Sequence, residues 1–184
     1  MSNLLDELAV KYKTDKTPKL KHHYTDVYHE LFKDRRNTVL KVCEIGIAEG
    51  ASLFMWRDYF PNATIYGGDN DLERVFKLQL QERIKVFACD QHKSQDVESL
   101  IEQTGSDIDL FIDDGSHHPT DQLFTCAWIM PLLSKDSIYV IEDVDDIYET
   151  NIFGHLIASG YNVQVVRVGL RHDDRMIIVR HKDE

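Results

Sequence analysis

Four residues could do chemistry together. Asp114, Glu142 and Asp143 are carboxylates, and His117 follows Asp114 by one helical turn's spacing. Carboxylates crowded at one point repel one another unless a cation compensates them. A hard divalent ion such as Mg²⁺ does so, because it takes oxygen ligands in octahedral geometry and leaves positions for water or substrate. A bound cation lowers the pKa of a neighbouring hydroxyl, and a positioned histidine removes its proton. Asp114, Glu142 and Asp143 are therefore the expected metal ligands, and His117, three residues after Asp114, is a candidate for such a base. His118 is the alternative base, although it stands nearer the helix start marked by Pro119. The competing reading is a solvated acidic loop, extended by Asp145 and Asp146.

A second constellation lies upstream. Glu44-Ile-Gly46-Ile-Ala48-Glu49-Gly50 places glycines in a turn, where they permit a tight bend and close approach to a ligand. A dinucleotide site would want the spacing G-x-G-x-x-G, with a pyrophosphate at the helix N-terminus. Here the glycines are four apart with Ala48 between them, which suits a dinucleotide poorly. Asp69 follows Gly46 by 23 residues and could accept both hydroxyls of a ribose. Asp90 and Gln91 could bond an adenine edge.

These residues need elements to position them. After a leader of two polar amphipathic helices, residues 1–36, short apolar runs alternate with helical segments through residues 37–184. Strands are expected at Val39–Ile45, Thr64–Gly68, Ile84–Ala88, Ile108–Asp113 and Ser137–Glu142. Helices are expected at Ala51–Tyr59, Leu72–Gln81, Gln95–Thr104, Pro119–Leu133 and Ile147–Ser159. The runs Asn162–Val168 and Met176–Arg180 read as a closing hairpin. Such alternation predicts an α/β fold, a mostly parallel sheet covered on both faces. Ligands bind such sheets beyond the carboxyl ends of the strands. Each of the first five strands ends in acidic residues, so part of the acidic excess is an active-site rim. The aromatics Phe54, Trp56, Tyr59 and Phe60, and likewise Phe124 and Trp128, recur at helical spacing and read as packing residues.

The quoted motifs resemble a known family. Glu44-Ile-Gly46-x-x-x-Gly50-Ala51-Ser52-Leu53, Met55-Trp56-Arg57, Asp69, Asp90-Gln91, Ile112-Asp113-Asp114-Gly115-Ser116-His117-His118 and Ile141-Glu142-Asp143 are similar to the class I S-adenosylmethionine methyltransferases. Within that class they resemble the metal-dependent sugar O-methyltransferases of macrolide biosynthesis. Lys11-Tyr12-Lys13-Thr14-Asp15-Lys16 and His23-Tyr24-Thr25 resemble that family's leader. The resemblance implies a Rossmann-like, seven-stranded sheet with an antiparallel C-terminal strand. It implies S-adenosylmethionine held along Glu44, Gly46, Gly50 and Ser52, with Asp69 on the ribose and Asp90 and Gln91 near the adenine. It implies Mg²⁺ on Asp114, Glu142 and Asp143, with His117 as base. Tyr24 would sit at the edge of a leader that folds over the cofactor as a lid. Ala48 stands where the class has its middle glycine, and Lys13 where the leader has one.

The implied reaction is methylation of a hydroxyl on a sugar or glycosylated small molecule. Two other classes share the scaffold: a nicotinamide-dinucleotide oxidoreductase and a non-catalytic metal- or nucleotide-binding module. Net charge is −11, from 32 acidic and 21 basic residues, which argues against a nucleic-acid or anionic-membrane partner. No apolar run reaches the length of a membrane span. Cys43, Cys89 and Cys126 are odd in number, widely spaced and set in apolar runs, as buried reduced thiols of a cytoplasmic protein would be. A homo-oligomer would complete the acceptor pocket across an interface, and no residue decides it.

Overall fold

The structure, a computed structural model, describes residues 3–145 and 149–182. Asp146 and the expected helix start at Ile147 lie outside the described residues. The parallel core of the sheet is β1 (Lys41–Ile45), β2 (Thr64–Asp69), β3 (Ile84–Ala88), β4 (Leu110–Asp113) and β5 (Ile138–Ile141). β6 (Asn162–Arg167) and β7 (Arg175–Arg180) complete the order β3-β2-β1-β4-β5-β7-β6. β7 runs opposite to the other strands, pairing antiparallel with both β5 and β6. β7 is buried over almost its whole length and inserts beside β5. β6 alternates between partly covered and exposed positions and takes the edge. That is the pattern a two-sided and a one-sided strand should show.

The helices are α1 (Leu4–Tyr12), α2 (Tyr24–Phe32), α3 (Ala51–Tyr59), α4 (Leu72–Leu78), α5 (Ser94–Thr104), α6 (Pro119–Ile129) and α7 (Glu149–Ala158). α6 stops short of the expected Leu133 and passes into a 3₁₀ turn at Met130–Leu132. Pro131 explains this, because its ring lacks a backbone donor and clashes with the preceding turn. No helix among the described residues is long and apolar enough to cross a membrane.

Two apolar layers flank the sheet. One joins the leader residues Leu5, Ala9, Tyr24, Tyr28 and Phe32 to Trp56, Tyr59 and Phe60 of the α3 region. The other packs α5, α6 and α7 on the opposite face, and contains Cys43, Cys89 and Cys126 as free buried thiols. Phe124 and Trp128 differ from the packing expectation. Their rings stack on each other at 5.6 Å, but Trp128 is 38% exposed on the outer face of α6. The leader is held by its own polar contacts. Lys11 Nζ reaches Asp58 on α3 at 2.9 Å, and Thr17 donates to the buried Asp6. Lys13, in the place of a glycine, takes the left-handed conformation that glycine would supply (φ 62°) and caps α1 through its backbone N–H.

The strand order reverses direction between β1 and β4. Loops leaving those two strands diverge there and open a crevice at the carboxyl edge.

Candidate active site

A cleft of about 370 Å³ occupies that crevice, lined by Gly46, Ala48, Asp69, Gln91, Asp114, His117 and Asp143 among others. Its first wall is the turn after β1. Gly46 has φ +84°, and a Cβ there would lie 1.9 Å from the Asp114 carbonyl oxygen. Any side chain would force apart the loops after β1 and β4. Ala48 adopts φ 44° without being glycine. Asp69 is nearly buried and accepts from the backbone N–H of Ile47 at 3.1 Å and of Asp71 at 2.8 Å. The carboxylate thus shapes the turn and presents a charge to the cleft.

Beneath this wall lies a group of carboxylates organised by one lysine. Lys16 is 1% exposed, and its ammonium contacts Asp114 Oδ2 at 2.6 Å, Glu44 Oε1 at 3.3 Å and Glu142 Oε2. Burial pushes the Lys16 ammonium down, but the charges of Asp114, Glu142 and Glu44 outweigh it and hold it well above its usual range. The remaining oxygens have their own donors. Trp56 Nε1 donates to Glu44 Oε2 at 2.8 Å, and Tyr28 donates to Glu142 Oε1 at 2.6 Å. Ser52 also bonds the Glu44 side chain.

The second wall is built from the ends of β4 and β5. His117 Nε2 lies 3.2 Å from Asp114 Oδ1, and its Nδ1 lies 3.5 Å from Asp143 Oδ2. Its hydrogen bond to Asp114 pushes the imidazole up to about 9, against burial. His117 and Asp143 both have positive φ, 57° and 50°. Of the five non-glycine residues with positive φ among the described residues, Ala48, His117 and Asp143 line this one cleft. Such conformations cost about 1–3 kcal/mol each and cluster where function over-determines the backbone.

Asp114, His117 and Asp143 each offer a ligand atom within 4.8 Å of the others, a donor set that suits a divalent cation. Glu142, the third ligand expected from sequence, is adjacent but committed to Lys16 and Tyr28. Asp113 is buried beneath the loop, pushed up to about 7 by burial, and accepts from Tyr139 at 3.2 Å. Gln91 Oε1 accepts from Ser116 N–H at 2.7 Å and its amide donates to Thr125 at 3.2 Å, so its polar atoms clamp the β4 loop. Asp90 bonds His92 and Lys93, which hold its carboxyl down at about 2. Gly50 caps α3 at φ 80°. Tyr24 is buried and donates to Asp143. His118 occupies the N-cap position of α6.

Sequence reasoning missed Lys16 and Tyr28 altogether. The signal available was the leader motif itself, which placed Lys16 among residues shared with the family but gave it no role.

Residues 43–144 match the family described as a methyltransferase domain. Over 148 residues the chain is 34% identical to mycinamicin VI 2''-O-methyltransferase of Micromonospora griseorubida, covering 76% of this chain and 36% of that protein. It is 32% identical over 146 residues to L-olivosyl-oleandolide 3-O-methyltransferase of Streptomyces antibioticus, with the same coverages of 76% and 36%. The chain thus spans little more than a third of the length of these relatives. Among solved structures, the MycE methyltransferase from the mycinamycin biosynthetic pathway, in complex with Mg, SAH and mycinamycin VI, is similar with a TM-score of 0.78 at 26% identity. That match covers 97% of this chain and 54% of that one.

Proposed function

The chain belongs to the methyltransferase-domain family, and from that membership we propose that it is a Mg²⁺-dependent S-adenosylmethionine O-methyltransferase acting on a hydroxyl of a sugar or glycosylated small molecule. One observation carries the reading. The turn bearing Gly46, with Asp69 at the end of β2 beside it, and the corner bearing Asp114, His117 and Asp143 open on the same cleft. A donor and an acceptor bound there would face each other.

Asp69 would accept from the ribose hydroxyls, and the side-chain-free Gly46 lets the backbone lie close to the cofactor. Asp114 and Asp143 would be the oxygen donors for Mg²⁺, and Glu142 would join them if the Lys16 ammonium gave up its Oε2. When bound, the ion would make an adjacent acceptor hydroxyl more acidic. His117 would take the hydroxyl proton at a ring nitrogen once a cation on Asp114 and Asp143 draws off the carboxylates that hold the imidazole protonated, leaving it neutral. Holding acceptor oxygen and donor methyl in line supplies much of the remaining acceleration. The buried thiols fit a reducing, cytoplasmic setting.

The test is transfer of label from methyl-labelled S-adenosylmethionine to a panel of glycosides bearing adjacent hydroxyls. Transfer should require Mg²⁺ and vanish with a chelator or in Asp114→Ala, while calorimetric binding of S-adenosylhomocysteine to that variant stays within a few-fold of wild type. Undiminished transfer in chelator would overturn the metal's role. Failure to bind S-adenosylhomocysteine would overturn the whole reading.

A further inference from the structure

Behind Asp143, on the side away from the cleft, lies a second polar cluster. His22 from the leader, Asp143 after β5 and Asp173 from the β6–β7 loop each offer one ligand atom, all within 4.8 Å of one another. His22 is 1% exposed, and its ring stacks flat on Tyr24 at 4.8 Å. Its Nδ1 lies 2.7 Å from Asp174 Oδ1. Its Nε2 is buried and has no hydrogen-bond partner among the described residues, although Asp143 Oδ1 lies 3.5 Å away.

This arrangement has a chemical meaning. A histidine that donates Nδ1–H to a carboxylate fixes its tautomer and turns the Nε2 lone pair outward. Metal-ligating histidines almost always have such a partner on their other nitrogen. Here that lone pair faces a carboxylate oxygen, a repulsive pairing unless a positive charge lies between them. Asp173 completes a set of one imidazole and two carboxylates, which suits Mn²⁺ or Zn²⁺ better than an all-oxygen site would. A bound ion would displace two groups already in place: Tyr24 donates to Asp143 Oδ1, and Arg171, half exposed, reaches both Asp173 oxygens, at 3.0 and 3.4 Å.

We propose that His22, Asp143 and Asp173 form a second divalent-cation site, of the Mn²⁺ or Zn²⁺ class, that pins the leader to the carboxyl end of the sheet. Asp143 would serve both sets, one oxygen toward His22 and the other toward His117. The site stands or falls independently of the proposed methyl transfer, because it is read by metal count and stability rather than turnover.

The experiment is equilibrium dialysis of the full chain against Mn²⁺, with bound metal counted by electron paramagnetic resonance. Wild type should bind two ions per chain, and His22→Gln and Asp173→Asn one each. Asp114→Ala, which alters only the cleft set, should keep the ion at His22. Mn²⁺ should raise the melting temperature of Asp114→Ala by several degrees and leave that of the double variant Asp114→Ala/Asp173→Asn unchanged, a contrast that holds even if His22→Gln folds poorly. Ion counts in His22→Gln and Asp173→Asn equal to that of wild type, or no ion bound by Asp114→Ala, would overturn the proposal.

Discussion

Lys16 and Asp114 stand 98 residues apart in sequence, and the lysine ammonium donates to the aspartate carboxylate at 2.6 Å. The same ammonium reaches Glu44 and Glu142, so one leader residue bridges acids from the ends of β1, β4 and β5. This ties the leader to both walls of the cleft. It also keeps the buried Glu44 and Glu142 beside the half-buried Asp114.

Removing that ammonium should be costly. Lys16→Met leaves buried carboxylates uncompensated, and breaking a buried ion pair by removing one partner typically costs about 3–5 kcal/mol. Urea unfolding should show a loss of that order. Lys16→Met combined with Glu142→Gln should recover part of it, because one of the stranded charges is gone. Equal stabilities for Lys16→Met and wild type would contradict the buried position.

Gly46 should tolerate no side chain. Gly46→Ala would place its Cβ 1.9 Å from the Asp114 carbonyl oxygen, in a left-handed conformation that alanine also resists. S-adenosylhomocysteine binding, measured by calorimetry, should weaken at least about tenfold, a loss of 1.4 kcal/mol or more. Gly154→Ala is the control. Nothing lies within 4 Å of the added Cβ on α7, and the exchange should stabilise the helix by roughly 0.5–1 kcal/mol.

Trp56 is a donor as well as a packing residue. Trp56→Phe keeps much of the ring but deletes the N–H that bonds Glu44 Oε2 at 2.8 Å. An orphaned buried acceptor costs about 1–3 kcal/mol. The fall in the urea midpoint should exceed that for Phe54→Leu, whose ring is only partly buried and makes no such bond.

The leader's grip on α3 should weaken in acid. Burial raises the Asp58 carboxyl, but bonds from Tyr12, Lys11 and Arg57 outweigh it and hold it at about 2, below its ordinary 3.8. A depressed carboxyl contributes its stability in full above the ordinary value and loses it as pH falls toward the folded value. The stability difference between wild type and Asp58→Asn should therefore be constant above about pH 5 and shrink as pH drops through 4 to 2. A difference that grows in that window would reverse the assignment.

Much of the fold was legible because its signals are local. Apolar runs of strand length, separated by helical spacing and punctuated by Pro61 and Gly160 after helices and Pro119 at a helix start, place the strands and most helices within a few residues. Where Pro131 sits inside an apolar pattern, the pattern ran past the true end of α6. Asp69, Asp114, Asp143 and His117, which line the cleft, were legible as candidates for a related reason. A parallel sheet sends its ligand-facing residues to the strand ends, and those ends could be counted along the chain. Ala48 and Lys13 show the opposite case. Each replaces a glycine of the family pattern, yet each keeps a left-handed backbone, because the packed turns on either side dictate the conformation.

The sequence by itself determined the order of elements, the acidic rim and the turn at Gly46, since each depends on neighbours a few residues away. The tertiary structure alone decided which acids meet which cation. Nothing local separates buried Lys16 from exposed Lys11 or Lys19, or buried His22 from the neighbouring exposed His23. Their roles follow from where the leader docks, and that is fixed by apolar packing of Tyr24, Tyr28 and Phe32 against residues that are distant in sequence. Burial then turns charges that water would screen into strong, specific partners. Glu142 was legible as an acid at a strand end, but its pairing with Lys16 and Tyr28 was not.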